Sequence, residues 1–120
     1  MIKANELRTG NWLIDICGAP SQFSFEWQKH YFDLGLCDVF DKINPIQITP
    51  EILEKCGFEL IPQKISIYQK DKLRLWVGIG CICYLIDKNN KSHYMLDIKH
   101  LHHLQNLFFS VTGSELKINL

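Results

Sequence analysis

Four short segments in which polar and apolar residues alternate fill much of the second half of the chain, and they constrain its fold more than any other feature. The segments cover residues 64–69, 72–77, 81–86 and 93–98. Successive side chains of a strand point to opposite faces of a sheet, so this alternation is typical of strands with one buried and one solvated face. Turn-forming residues separate the segments, and Asn89-Asn90 favours a hairpin between the last two. The sequence therefore predicts an antiparallel meander.

Two helices are predicted beside the meander. Residues 99–112 place apolar side chains at helical spacing, and Gly113 ends the pattern. The apolar stripe consists of Leu101, Leu104, Leu107, Phe108 and Val111. A shorter helix is expected after Thr49, a good N-cap residue that is followed by Pro50 where proline is tolerated, and Gly57 ends it.

Further strands are predicted at residues 12–16, after the turn signal Gly10-Asn11, and at 39–43 and 115–120. The predicted fold class is α+β, with a small antiparallel meander of about five to six strands packed by the C-terminal helix and one or two short helices. A chain of 120 residues has the usual size of one domain, so we predict a single domain.

An aromatic-rich insertion is predicted at about residues 18–38, and it opens with Gly18-Ala19-Pro20, which is expected to break the first strand. Its aromatic side chains fall on two different sides of a predicted helix, so one core-facing stripe does not accommodate them all. Exposed aromatic residues often anchor protein interfaces. The candidate partner-binding residues here are Phe25, Trp27, Tyr31 and Phe32. The alternative is that the segment forms an irregular part of the core.

The formal net charge is zero, but the charges are unevenly distributed along the chain. Residues 1–60 hold five basic and nine acidic residues, whereas residues 61–100 hold seven basic and three acidic ones. Such asymmetry can steer association with a charged partner. Lys70, Lys72 and Arg74 are therefore candidates for contact with an acidic partner. The alternative is that these charges only solvate the faces of a hairpin sheet.

No arrangement of residues in the sequence predicts catalysis or a cofactor. The five cysteines form no C-x-x-C pair, and Cys81 and Cys83 are predicted to lie together on one buried strand face. His100 and His103 have a spacing that helical metal ligands use, but no nearby carboxylate or thiolate completes the ligand set in the sequence. We therefore expect a protein that is not an enzyme and has no metal, cofactor or small-molecule substrate.

The side of the last helix away from the apolar stripe carries one aromatic residue among polar ones. Its residues are His102, Gln105, Asn106 and Phe109, and all four are expected on the outer side. A phenylalanine in that position is covered either by the aromatic insertion or by a partner. Phe109 is therefore a further candidate contact residue.

Hydropathy predicts where the protein resides. The apolar runs of the sequence are too short to span a bilayer, and the N-terminus lacks the apolar core of a secretory signal. The sequence therefore predicts a cytoplasmic protein without a membrane partner.

Three stretches, taken in order, resemble a family of small proteins encoded by prophages and mobile elements. They are ANELRTGN at 4–11, PIQITPEILEKCGF at 45–58 and LHHLQNLFFSVTGSEL at 101–116, and they cover about a third of the chain. The best matches in the last stretch are Leu104, Gln105, Asn106, Leu107, Phe109, Thr112 and Gly113. Most members of this family have no assigned activity, and the family motif supplies no catalytic residue.

A protein similar to this family is an anti-CRISPR that inhibits the RNA-guided ribonuclease of type VI-B systems. The resemblance implies that the chain binds and inhibits this nuclease in the bacterial cytoplasm, by disturbing the binding of guide RNA. The implied partner is the host effector nuclease together with its guide RNA. The alternative is a small nucleic-acid-binding or assembly accessory protein of a prophage. Lys64, Lys70, Lys72, Arg74 and Trp76 would then combine charge with base stacking.

Overall fold

The computed structural model describes residues 6–15, 17–24, 26, 29, 43–62, 66–78 and 80–120. The contacts of the chain divide it into two compact units. The first unit comprises Met1–Gln47 and His100–Asn106, and the second comprises Ile48–Lys99 and Leu107–Leu120. No helix in these described ranges is long and apolar enough to cross a membrane.

The first unit contains a two-stranded hairpin, with β1 at Trp12–Ile14 and β2 at Pro20–Gln22. Asp15 shapes the loop between them, because its carboxylate accepts hydrogen bonds from the Ser21 hydroxyl at 2.6 Å and from the N–H of Ala19 at 3.1 Å. These bonds, led by that of Ser21, hold the pKa of Asp15 below its usual value. The turn at Gly10 before β1 is confirmed, with a φ of +95°.

The predicted break at residues 18–20 is only half right. The loop is there, but Pro20 begins β2 and pairs with Ile14. Proline is tolerated at the first position of a strand, where its missing N–H removes no interior ladder bond. Ile14 also exchanges two backbone hydrogen bonds with Asn44, at 2.8 and 2.9 Å. The buried apolar residues of this unit are Leu7, Leu13, Phe23, Ile43, Ile46, Leu101 and Leu104.

The short helix α1 spans Pro50–Lys55 and confirms the capping signals. The hydroxyl of Thr49 accepts a hydrogen bond from the N–H of Ile52 at 3.2 Å, which satisfies one of the free donors of the first turn. At the other end Gly57 adopts a φ of +86°. The N–H of Phe58 then bonds the carbonyl of Leu53 at 3.0 Å, as a Schellman C-cap requires.

The second unit is built on a five-stranded antiparallel sheet whose strands follow one another in chain order. The strands are β3 at Glu59–Leu60, β4 at Ile67–Lys70, β5 at Leu73–Val77, β6 at Cys81–Ile86 and β7 at Ser92–Ile98. The predicted meander is confirmed. Its first strand, β3, escaped prediction because two residues are too few to show alternation.

One face of this sheet is buried, and its apolar side chains come from the predicted period-two pattern. Leu75 pairs with Cys83 and Val77 with Cys81, and cross-strand partners share a face. The buried residues of this face are Tyr68, Leu73, Leu75, Cys81, Cys83 and Ile98. Cys81 and Cys83 are therefore small buried residues, as predicted.

The C-terminal helix α2 spans Leu101–Thr112, and its residues up to Asn106 belong to the first unit. Gly113 follows it with a φ of +75°. The predicted final strand at 115–120 is wrong, because the segment pairs with no strand in the described ranges. It is anchored instead by the buried side chain of Leu116 and by a 3.4 Å hydrogen bond from the N–H of Asn119 to the carbonyl of Lys55.

The predicted α+β class is confirmed by two antiparallel sheets and the helices α1 and α2 in the described part of the chain. Five of the candidate contact residues lie outside the described residues, namely Phe25, Trp27, Tyr31, Phe32 and Lys64. The strand predicted at 39–43 also lies outside them except for Ile43, which is buried.

Candidate functional site

The face of the five-stranded sheet opposite the buried one carries aromatic and apolar side chains, and we call it the open face. Its members are Ile67, Arg74, Trp76, Ile82, Tyr84 and Tyr94, which the strand register places side by side. Trp76 is 49% exposed and Tyr94 is 63% exposed. A single exposed aromatic residue is ordinary, whereas several on neighbouring strands form a patch that a partner can cover.

A β-bulge brings two of these aromatic rings together. Cys83 pairs with Leu96 and Tyr84 pairs with Tyr94, so Met95 is an extra residue in β7. A bulge of this kind changes which face each later side chain of the strand reaches. As a result, the rings of Tyr84 and Tyr94 meet edge to face, with centroids 6.2 Å apart and planes at 72°.

Arg74 supplies the positive charge of the open face and is held there by its neighbours. Its Nη2 and Nε donate to Oε1 of Gln69, at 2.9 and 3.3 Å, and its Nη1 donates to the hydroxyl of Ser92 at 3.1 Å. These bonds leave the guanidinium beside a shallow depression of about 250 Å³. The depression is lined by Ile67, Arg74, Trp76, Tyr84 and Ser92.

The structure does not bring the three basic candidates together. Lys70 reaches the carbonyl of Cys56, to which its Nζ donates at 2.8 Å, and lies 5.5 Å from the ring centroid of Phe108. Lys72 is exposed in the turn before β5. Of the three, Arg74 lies on the open face. Lys70 and Arg74 belong to different strands, and the alternation of faces along one strand does not continue through the turn between them.

A larger depression, of about 570 Å³, lies at the edge of the sheet near β3. Exposed residues such as Glu59, Leu60 and Pro62 form its walls, so it is an open groove rather than an enclosed site. The open face is the better candidate for binding, because aromatic side chains and a fixed arginine converge there.

The outer side of α2 differs from its prediction. Phe109 is 41% exposed, but His102 and Gln105 are buried, so their predicted exposure is wrong. Helical periodicity identifies the apolar side of a helix. It does not show that polar residues on another side are buried by a neighbouring segment. Both residues are covered by contacts with the segment that precedes β1.

The first and last stretches that carry the family resemblance meet at Asn106. Its Oδ1 accepts hydrogen bonds from Nε of Arg8 at 2.8 Å and from Nδ2 of Asn11 at 2.9 Å. Its own Nδ2 donates to the carbonyl of Glu6 at 2.8 Å. The side-chain amide of Asn106 therefore acts as both acceptor and donor, and an asparagine at this position stabilises the fold.

Gln105 extends the same connection to the start of the hairpin. Its Oε1 accepts from the N–H of Trp12 at 2.7 Å, and its Nε2 donates to the carbonyl of Gly10 at 3.1 Å. A buried backbone group needs a hydrogen-bond partner, and here the side chain of Gln105 supplies the bonds that a neighbouring strand would otherwise make. The best-matching polar residues of the resemblance, Gln105 and Asn106, thus have structural roles.

Three histidines gather at the start of α2 and form what we call the histidine cluster. One ring nitrogen from each of His100, His102 and His103 lies within 4.8 Å of the other two. Oε2 of Glu6 lies 3.2 Å from Nε2 of His102 and 3.4 Å from Nε2 of His103. The sequence missed this carboxylate because more than 90 residues separate it from the histidines.

Burial and hydrogen bonding determine the charges within the cluster. Burial lowers the pKa of His102 and outweighs the hydrogen bond that its ring donates to Glu6, which acts in the opposite direction. Burial disfavours the charged form of Glu6, but the hydrogen bonds of His102 and His103 outweigh it and hold the pKa of Glu6 below its usual value. At neutral pH the cluster therefore holds a neutral His102 beside an ionised Glu6.

No protein-family model, curated protein or solved structure matches this chain. The assignment of a function therefore rests on the open face and on the resemblance described above.

Proposed function

We propose that this protein binds another protein through its open face, and that the partner is the RNA-guided ribonuclease of type VI-B CRISPR systems. The observation that supports binding is the group of Trp76, Tyr84 and Tyr94 beside Arg74. Tryptophan, tyrosine and arginine are the residues most enriched among those that dominate interface energies. The partner's identity comes from the resemblance of the three stretches to the prophage family.

The charge of the open face favours a protein partner over a nucleic acid. Arg74 is its basic member and is already hydrogen-bonded to Gln69 and Ser92, while Asp97 accepts a hydrogen bond from the hydroxyl of Tyr94 at 3.1 Å. Nucleic-acid affinity depends largely on several lysine or arginine contacts to phosphates. A mixed, nearly neutral aromatic surface is better suited to a protein.

Inhibition would follow if the bound protein blocked the entry of guide RNA into the effector. In this mechanism the small protein competes with guide RNA for the effector and needs no catalytic group of its own. The basic turn residue Lys72 and the exposed Phe109 lie outside the open face, so they serve as test positions for a wider contact.

Single-stranded nucleic acid is the second candidate partner, because exposed tryptophan and tyrosine side chains on a sheet can stack on bases. The two candidate functions predict different binding partners for the purified protein. Direct binding of RNA without the effector would favour this second function.

Co-purification of the full chain with the type VI-B effector tests the proposal. We expect the wild-type protein to be captured and to reduce both guide-RNA binding and target-RNA cleavage by the effector. The double variant Trp76→Ala/Tyr94→Ala should lose capture and inhibition, whereas Leu120→Ala, which truncates an apolar side chain that is 38% exposed away from the face, should retain both. Capture of the double variant at wild-type level would refute the role of the open face, and no capture of the wild type would refute the partner.

A further inference from the structure

The histidine cluster is the part of the molecule that the proposed binding function does not use. Its three rings are close together, with centroids 4.2 Å apart for His102 and His103, 5.5 Å for His100 and His103, and 5.7 Å for His100 and His102. We propose that His100, His102 and His103 form a binding site for one divalent transition-metal ion of the zinc type, with Glu6 as the carboxylate that orients the imidazoles. This inference is independent of the proposed function.

The hydrogen bonding of His102 is the first support. An ionised carboxylate only accepts hydrogen bonds, so Nε2 of His102, 3.2 Å from Glu6, must carry the proton. Nδ1 is then a lone-pair acceptor. It is buried, and it has no hydrogen-bond partner among the residues that the structure describes. A buried nitrogen lone pair without a donor is costly in a fold and is the form in which imidazole binds a metal.

The position of Glu6 is typical of a carboxylate that supports the histidine ligands of a metal site. Histidine ligands commonly donate the second ring N–H to a carboxylate, which fixes the tautomer and the ring orientation. Oε2 of Glu6 lies within hydrogen-bond reach of Nε2 on both His102 and His103. When both rings donate to Glu6 through Nε2, the lone pair of each ring is on Nδ1, which is the form that coordinates a metal.

The distances fit a metal ion after small side-chain rotations. Zinc–nitrogen bonds of 2.0–2.1 Å in a tetrahedron require ligand nitrogens roughly 3.4 Å apart. One ring nitrogen from each of the three histidines lies within 4.8 Å of the other two, so each pair of these nitrogens needs to close by at most about 1.4 Å. Three imidazoles leave a fourth position for water, and nitrogen ligands of this kind suit zinc, copper, iron and nickel.

The position of the cluster at the start of α2 opposes a cation to some extent, because the N-terminus of a helix carries a partial positive charge. Two features offset this effect. The N–H of Leu101 is already bonded to the carbonyl of Ile46 at 2.8 Å, and the negative charge of Glu6 lies directly beside the rings.

Calorimetric titration of zinc ions into the chelator-treated full chain tests the site. We expect one equivalent to bind the wild type and to raise its melting temperature. His103→Ala, in which the replaced side chain is 36% exposed, and His100→Ala should each lose zinc affinity by at least about 100-fold, and Glu6→Gln should lose about 10- to 100-fold. His93→Ala is the matched control, because this exposed histidine of β7 lies outside the cluster, and it should bind zinc as the wild type does.

Circular dichroism of each variant establishes whether it is folded. If another variant unfolds, the zinc affinity of His103→Ala relative to the wild type is the deciding comparison. X-ray absorption of the zinc-loaded wild type should show nitrogen and oxygen neighbours only. The proposal is overturned if the wild type binds no stoichiometric zinc, if His103→Ala binds as tightly as the wild type, or if the absorption spectrum shows sulfur ligands.

Discussion

In the first unit, individual amide side chains make hydrogen bonds to backbone groups that a neighbouring strand would otherwise satisfy. Gln105 is 2% exposed, yet it satisfies the N–H of Trp12 and the carbonyl of Gly10 where the hairpin begins. Asn106 does the same for the carbonyl of Glu6 and for the side chains of Arg8 and Asn11. Two of the polar residues that best match the prophage family, Gln105 and Asn106, thus have roles in the fold.

Replacing Gln105 by alanine should reduce stability markedly. The change removes the acceptor that bonds the N–H of Trp12 and one of the two donors to the carbonyl of Gly10, whose other donor is Nε2 of Gln22 at 3.2 Å. An unsatisfied buried group costs about 1–3 kcal/mol. We expect the free energy of unfolding in urea to fall by about 1–3 kcal/mol. Ser110→Ala, on the exposed surface of the same helix, should change it by less than about 0.5 kcal/mol. Equal midpoints for the two variants would contradict this account.

Long-range polar contacts were the part of the site that the sequence could not predict. The spacing of His100 and His103 is compatible with metal ligands, but no nearby carboxylate or thiolate completes a ligand set in the sequence. Glu6 supplies that carboxylate from the other end of the chain. Periodicity describes which residues share a face, and it cannot identify a polar partner that only the tertiary fold brings near.

At the scale of elements, local signals predicted most of the described structure. The alternation over residues 64–98 gave the strands β4 to β7, and Thr49 and Gly57 located the ends of α1. Cross-strand pairing then assigned Trp76 and Tyr84 to the open face. The bulge at Met95 was not predictable in this way, because the apolar run of β7 fits either face until the pairing partners are known.

Gly57 offers a direct test of how α1 ends. An L-residue at its φ of +86° is strained, and a Cβ there would lie 2.9 Å from Nζ of Lys70, which is the movable end of a flexible side chain. Gly57→Ala should therefore lower the free energy of unfolding by about 1–2 kcal/mol, mainly through the backbone. Gly80→Ala is the matched control, because its φ lies outside the left-handed range and no atom lies within 4 Å of the added Cβ.

Thermal or urea unfolding of the two glycine variants makes the comparison. If Gly57→Ala is as stable as Gly80→Ala, the left-handed cap contributes little and the helix end is held by other contacts. A loss well above 2 kcal/mol would instead implicate the displaced hydrogen bond between Lys70 and the carbonyl of Cys56.

At the scale of the whole molecule, charge distinguishes the two classes of partner. The chain has 13 basic and 13 acidic residues and no net charge, so long-range attraction to a polyanion is weak. The basic candidates are also dispersed, since Lys70 is hydrogen-bonded to the main chain beyond α1 while Arg74 lies on the open face. An aromatic surface binds mainly by removing apolar area from water, which salt screens little.

The salt dependence of binding should follow from this balance. We expect the affinity of the wild-type protein for the type VI-B effector to change by less than about tenfold between 50 and 200 mM salt, because few ion pairs are expected at the open face. A protein that makes six to ten phosphate contacts would instead lose about 10³- to 10⁵-fold over that range. Surface plasmon resonance with immobilised effector, with and without guide RNA, measures both cases. A steep loss that disappears when guide RNA is removed would show that this protein reaches its partner through the RNA, and the open face would then be a stacking surface for bases.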